Sequence, residues 1–267
     1  MPRHDPGPYD VPMDLGLQDA RALVGGGSGG LGGAILAALR KEGATVGLIG
    51  RPGAKLDAAS TALDALAVPA DLASPDGPTD AVQAAVTAFG GLDLLVVNSG
   101  GPPPGGFDEL DEATWTKAID GTLWSAIRLL RAALPHLREG RAPAVLVILS
   151  SSAREPIPGL TTSNLLRPGL AGLIKSLTAE IAPVRINGLA PGRIATDRIG
   201  QIDAARASQT GLPKEEIERQ TIARIPLGRY GEPAELGRVG AFLLSPAASY
   251  VTGAVVPIDG GMIRALP

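Results

Sequence analysis

Between Val24 and Gly33 the chain reads VGGGSGGLGG, a stretch nearly free of side chains, placed after an apolar run and before a helix-patterned one. A glycine turn between strand and helix lets the backbone bend sharply and lets an anion approach it closely. The amides and the positive end of the following helix then face that anion. Gly26, Gly30 and Gly32 give a G-x-x-x-G-x-G spacing, with Ser28 inside the turn and Leu31 opening the helix. This is the arrangement that cradles a dinucleotide's pyrophosphate. The same stretch, Gly26-Gly27-Ser28-Gly29-Gly30, also matches G-x-S-x-G, the elbow of a serine hydrolase. That reading needs a histidine further on, and only His136 is available, in ALPHLREG at a helix end. A Walker phosphate loop is excluded because no lysine follows the glycines.

The rest of the chain alternates in a way that suits the turn. Short apolar runs at 22–24, 44–49, 66–70, 92–97, 144–149, 184–189 and 254–258 read as strands covered on both faces. Helical stretches separate them. Residues 31–42 carry Leu31, Ile35 and Leu39 on one face, with Gly43 as the stop. Residues 113–137 carry Trp115, Ile119, Leu123, Ile127 and Leu130, and a third helix is expected over 167–181, starting at Arg167 because Pro168 suits a first turn. Strand–helix alternation predicts an α/β fold: one Rossmann-like, doubly wound domain with a seven-stranded parallel sheet flanked by helices. Residues 202–224 are more polar and read as an inserted helical segment or lid. The proline-rich residues 1–12 read as a tail before a domain spanning 13–267, with Met13 a possible alternative start.

Composition narrows the function classes. The 267 residues include no cysteine, so thiol nucleophiles, Cys-ligated zinc and iron–sulfur clusters are excluded. Two histidines, His4 and His136, leave no multi-His metal site. A net charge of −3 gives no electrostatic case for nucleic acid. No apolar stretch approaches the ~20 residues of a membrane span. Residues 1–12 lack the apolar core of an export signal, and with the missing cysteines this leads us to expect a cytoplasmic protein.

From the glycine turn onward, residues 14–262 resemble the short-chain dehydrogenase/reductases, in particular their β-ketoacyl-carrier-protein-reductase-like branch. Their fingerprint T-G-x-x-x-G-x-G is matched at Gly26, Gly30 and Gly32, with Gly25 in place of the threonine. Val96-Val97-Asn98-Ser99-Gly100-Gly101 resembles the N-N-A-G stretch that supports the sheet and lines the adenosine pocket. Asp71, with Leu72 beside it, resembles the acid that binds the adenine amine. NGLAPG, ending in Pro191 and Gly192, resembles the N-x-x-x-P-G loop at the nicotinamide, with Ile194 and Thr196 following. The tail GRYGEPAELGRVGAFLLSPAASYVTGAVVPIDGGM is very similar to that family's C-terminal stretch. The resemblance implies a nicotinamide dinucleotide and a homo-oligomer, a tetramer or dimer. An acid after the second strand would favour NAD; here Arg51 follows it, so NADP is favoured through a 2′-phosphate contact, with NAD the alternative. Gly29 stands where many NADP-using members carry a second basic residue.

The resemblance fails where the chemistry belongs. The family uses Asn, Ser, Tyr and Lys, the last two as Y-x-x-x-K, so that the Lys charge lowers the Tyr pKa for proton exchange with a carbonyl oxygen. No Y-x-x-x-K exists here. Alignment puts Ser163 at the Tyr, Arg167 at the Lys, Ser150 at the Ser and Thr122 at the Asn. A serine hydroxyl is less acidic and shorter than a phenol, and an arginine is no acid near neutral pH. Two functions follow: an oxidoreductase for a small carbonyl or alcohol with an atypical site, or a non-catalytic dinucleotide-binding module. The loop GGPPPGG at 100–106 is expected above the cofactor, and Arg154 and Glu155 either face substrate or form a solvated pair.

Overall fold

The computed structural model describes residues 14–265; the stretch 1–12 and Met13 lie outside them. The chain runs β1 (Arg21–Gly25), α1 (Gly30–Lys41), β2 (Thr45–Gly50), α2 (Ala54–Leu63), β3 (Leu66–Pro69), α3 (Gly77–Phe89) and β4 (Leu94–Val97). It continues through α4 (Glu112–Ile119), α5 (Ser125–Arg138), β5 (Ala144–Ile148), α6 (Thr161–Glu180) and β6 (Arg185–Pro191). It closes with α7 (Asp197–Thr210), α8 (Lys214–Ile222), α9 (Pro233–Leu244) and β7 (Val255–Ile258). The strands form one parallel sheet in the order β3-β2-β1-β4-β5-β6-β7. This is the single Rossmann-like α/β domain that the alternation predicts.

Successive residues of a strand point to opposite faces, so each strand feeds two cores. Val24 and Leu48 pack with Ile35, Leu36 and Leu39 of α1 and Leu236 and Leu244 of α9. Leu23 and Leu95 pack instead with Val82 of α3, Leu129 and Leu130 of α5, and Leu170 and Ile174 of α6. The strand order reverses between β1 and β4, which opens a crevice at their carboxyl ends.

Polar clamps hold β4 against β1 at both ends of that junction. At the amino end the Asp93 carboxylate, 2% exposed, accepts from the Arg21 amide at 2.8 Å, Arg21 Nε at 2.9 Å, Arg21 Nη2 at 2.8 Å and the Arg141 amide at 2.6 Å. At the carboxyl end Asn98 Nδ2 donates to the Gly25 carbonyl at 3.1 Å.

Two helices depart from expectation. The stretch 113–137 is not one regular helix, because a π-turn at Asp120–Trp124 separates α4 from α5. Its extra residue rotates the apolar face, so Ala126, Leu129, Leu130, Ala133 and Leu137 are buried while Ile127 is only half-buried. The helix expected to start at Arg167 starts at Thr161, with Pro168 inside it. Its first turn is fixed upstream: the Thr161 amide donates to Gly105, and Asn164 bonds both backbone groups of Ile157. Burial of Leu166, Leu170 and Ile174 then carries the helix through the proline, which costs one backbone bond, so no helix terminus lies at Arg167. The polar segment 202–224 is helical, as expected, and is divided between α7 and α8.

Burial pushes the Asp93 carboxyl up, but the Arg21 and Arg141 hydrogen bonds and the Arg21 charge outweigh it and hold it below the usual carboxylate range. A depressed folded pKa stabilises above the unfolded value and is lost as pH falls through the folded one. Asp93→Asn is therefore expected to cost about 2–3 kcal/mol at neutral pH. In urea titrations the gap to the parent protein should narrow as pH drops below about 4. A gap that stays constant down to acid would show that the carboxylate charge is not what holds the clamp.

Candidate active site

The crevice between the carboxyl ends of β1 and β4 widens into a cleft of about 510 Å³. The glycine turn forms one wall. Gly26 has φ +58°, and a methyl group there would lie 2.8 Å from Asn98 Nδ2. At Gly32 a methyl would lie 2.5 Å from the Gly26 carbonyl oxygen. Both positions thus exclude side chains, and the amides around Gly30 and Leu31 remain open to the cleft.

Of the residues expected at a cofactor, Gly26, Ser28, Gly30 and Leu31 line the cleft from the turn, and Asn98 and Gly100 from the β4 end. Pro191, Gly192, Ile194 and Thr196 line it from the β6–α7 connection. Gly32 sits behind the wall as a spacer. Arg51, Asp71 and Leu72 lie off the cleft lining, past the ends of β2 and β3. The Asp71 carboxylate accepts from the Ala73 amide at 3.0 Å, which fixes its own turn. Sequence reading missed Lys55, which α2 directs across the turn: its Nζ lies 3.6 Å from where a methyl on Gly29 would sit. The basic group absent from the turn at Gly29 is thereby supplied from the next helix. No short-range pattern signals it.

The residues aligned with the catalytic positions fall into two groups. Ser150, Ser163 and Arg167 meet in the cleft. Ser150 Oγ accepts from the Ser152 amide at 3.1 Å, so its own hydrogen is free to donate. Ser163 and Arg167 stand one turn apart on α6, 6% and 7% exposed. Ser163 Oγ is 2.8 Å from Ser152 Oγ, a buried hydroxyl pair that makes Ser152 a site residue the sequence reading passed over. Thr122 does not reach the cleft lining. It is buried in the π-turn behind α6, and its Oγ1 has no hydrogen-bond partner among the described residues.

Arg167 is the electrostatic centre of the site. Its Nη1 donates to the Ile148 carbonyl at 2.8 Å, its Nε has no partner, and no ion pair among the described residues includes it. Burial, reinforced by the nearby charge of Arg198, pulls its guanidinium down to about 10. It remains a cation at neutral pH.

Among the described residues no tyrosine lines the cleft. Tyr230 donates to the buried Asp203 carboxylate at 2.9 Å, and Arg193 Nη1 reaches the same carboxylate at 3.3 Å. Burial and that bond push the Tyr230 phenol up to about 12, so it anchors α7 rather than supplying a proton. Arg154 and Glu155 neither face the cleft nor pair with each other. Arg154 donates to the Val255 carbonyl at 2.9 Å, and Glu155 accepts from the Arg264 amide at 3.4 Å. The hydrolase reading fails on topology: Ser28 follows the carboxyl end of β1, whereas His136 ends α5, at the opposite edge where β5 begins.

A larger, apolar hollow of about 1220 Å³ runs along α1 between α2 and α9, but neither Ser150, Ser163 nor Arg167 reaches it. No group of three or more His, Cys, Asp or Glu among the described residues could hold a metal ion. No helix among them is long and apolar enough to cross a membrane.

Residues 26–263 match the protein family described as enoyl-(acyl carrier protein) reductase. The L-rhamnose 1-dehydrogenase (NAD(P)(+)) of Azotobacter vinelandii is 35% identical over 259 residues, 92% of this chain and 97% of that protein. Dehydrogenase/reductase SDR family member 4 of Homo sapiens is 31% identical over 253 residues, 92% of this chain and 88% of that protein. The L-sorbose reductase of Gluconobacter frateurii, solved with NADPH and L-sorbose, superposes with a TM-score of 0.90 at 28% identity, covering 95% of this chain and all of that one (100%). An NADPH-bound short-chain oxidoreductase of Pseudomonas aeruginosa PAO1, described as containing an atypical catalytic center, gives a TM-score of 0.83 at 29% identity, with 93% and 100% covered.

A buried cation with one carbonyl for company is a cost to the fold. Arg167→Met removes the charge while filling similar space, and is expected to raise stability by about 1–2 kcal/mol in urea unfolding, even after the loss of the Ile148 bond. A loss of stability instead would mean that the guanidinium is held by more than that bond.

Proposed function

Because the chain belongs to the short-chain dehydrogenase/reductase family, we propose that it is an NADP(H)-dependent oxidoreductase that interconverts a small carbonyl compound and its alcohol through an atypical site. The observation that carries this reading is the glycine turn between β1 and α1, whose Gly26 and Gly32 are pressed against Asn98 at the strand-order reversal. The residues present fit the dinucleotide. The amides of Gly30 and Leu31, with Ser28, would hold the pyrophosphate, and Asn98 and Gly100 would wall the adenosine side. Asp71 and Leu72 would edge the adenine, and Pro191, Gly192, Ile194 and Thr196 would flank the nicotinamide. Arg51 and Lys55 would share the 2′-phosphate, which NAD lacks. When bound, the nicotinamide supplies or accepts the hydride at the carbonyl carbon.

The chain's own residues then manage the oxygen. Ser150 donates its free hydrogen to the carbonyl oxygen and orients it. Arg167 stabilises the negative charge that develops there with a permanent positive one, and its other face is open to ribose hydroxyls or an acidic group. Ser163 and Ser152, already hydrogen-bonded, relay a proton that originates in water, because neither hydroxyl is acidic enough to be its source. Thr122 supports α6 from behind, and its orphaned hydroxyl is a place for a water in that relay. Assembly into a dimer or tetramer belongs to the same reading, with exposed Trp124 and Leu165 (45% and 61%) as apolar contact surface.

The absence of a tyrosine from the cleft favours a second reading, a dinucleotide-binding module without turnover. Single-turnover mixing with NADPH and a carbonyl panel separates the two. We expect NADPH to bind and its absorbance to decay with at least one carbonyl. A tight complex that no carbonyl oxidises, converted to an active reductase by Ser163→Tyr with Arg167→Lys, would establish the module. For the cofactor choice, Lys55→Gln should weaken NADPH binding about fivefold to tenfold, with little effect on NADH, in fluorescence titrations. Equal weakening of both would remove Lys55 from the 2′-phosphate.

A further inference from the structure

The cleft is strongly basic in a protein whose net charge is −3. Among the described residues Lys55, Arg167, Arg193, Arg198, Arg206 and Arg224 line it, against a single carboxylate, Asp197. Arg193 is neutralised by buried Asp203. Arg167, Arg198, Arg206 and Arg224 form no ion pair among the described residues.

Two of these arginines are held where a cation is unfavourable. Arg198 sits in the first turn of α7, at the positive end of the helix dipole, which Asp197 only partly offsets. Its Nη2 donates to the Pro102 carbonyl at 3.1 Å and its Nη1 to the Gly101 carbonyl at 3.4 Å, so its partners among the described residues are neutral carbonyls. It is also close enough to Arg167 to lower that group's pKa. Arg167 is buried, its Nε unpartnered. Its Nη2 has no acceptor among the described residues and is not among the enclosed atoms, so it opens on the cleft. Like charges thus line the same cleft as Ser150, and no carboxylate among the described residues pairs with either. An anion at this place would relieve the repulsion and complete the hydrogen bonds, whereas a neutral ligand would leave both undone.

On the premise of the oxidoreductase reading, we propose that the substrate is an oxo acid, a small carbonyl compound whose carboxylate lies between Arg167 and Arg198 while its carbonyl oxygen meets Ser150. The planar carboxylate suits guanidinium edges, which can each offer parallel N–H donors. Arg206 and Arg224, farther along α7 and just past α8, draw the anion inward. Arg198 is then the residue that sets specificity. It also ties the 100–106 loop to α7, so it closes over the substrate it selects.

The test is calorimetric binding of 2-oxobutyrate, of its uncharged amide 2-oxobutanamide and of inorganic phosphate, each with and without saturating NADP⁺. We expect the acid to bind at least about tenfold more tightly than the amide. Arg198→Gln should erase that preference, and Arg198→Lys, which keeps the charge, should retain most of it. NADPH affinity should change by less than about threefold in either variant, since the cofactor is held elsewhere. Equal binding of acid and amide, or a preference that survives Arg198→Gln, overturns the proposal. So does tighter binding of phosphate than of the acid, or a parallel loss of NADPH affinity that would assign Arg198 to the cofactor's phosphates. Failure of NADP⁺ or NADPH to bind at all would overturn the oxidoreductase reading instead, while the acid–amide comparison without dinucleotide still decides the anion site.

Discussion

Everything in the site depends on how closely β4 is drawn to β1. The Asn98 side chain reaches the Gly25 carbonyl, and the Asp93 carboxylate gathers Arg21 and Arg141 at the other end of the same strand. With both ends fixed, the β1–α1 turn has no room for a side chain where it meets Asn98, and the Gly26 and Gly32 positions follow as packing requirements. An anion-binding turn is therefore a by-product of the tight junction at the strand-order reversal. The glycines are needed first so that the sheet can close, and only then so that a ligand can approach.

The elements that sequence made legible are those in which one local rule dominates. Apolar runs between helix-patterned stretches specify a parallel sheet, and the glycine spacing specifies its ligand-facing turn. The start of α6 was not legible, because Pro168 obeys a strong local preference that the buried stripe Leu166, Leu170 and Ile174 overrides. The π-turn at Asp120–Trp124 was hidden for a related reason. Its freed carbonyls are satisfied locally by the Ser125 hydroxyl, which donates to Gly121 at 2.8 Å, and a serine there carries no periodic signal. Lys55, Ser152 and Arg198 acquire meaning only through residues distant in the chain. Lys55 gains it from Gly29, Ser152 from Ser163, and Arg198 from Gly101, Pro102 and Arg167.

Asn187 shows how a motif can match for structural reasons. In the NGLAPG stretch its side chain is fully buried; Nδ2 donates to the Val251 carbonyl at 2.8 Å and Oδ1 accepts from the Ala254 amide at 3.1 Å. It fastens β6 to the approach to β7, at a distance from the cleft that Pro191 and Gly192 line. The two halves of one sequence match thus do different work, one holding the sheet together and the other shaping the ligand wall.

In the proposed function, the pairing of Ser163 with Arg167 changes what kind of catalyst the site would be. A phenol beside an ammonium stabilises a developing alkoxide by giving it a proton, and its effectiveness follows the match of their pKa values. A serine is too weak an acid for that, and Arg167, a cation at neutral pH, offers fixed charge; in the proposed mechanism the proton comes from elsewhere. Fixed charge works best when water is excluded, and the burial that excludes water is also what makes an unpaired Arg167 costly to the fold. On the proposed reading, the same burial sets the strength of the site and its cost, and an anionic ligand would use the first while removing the second.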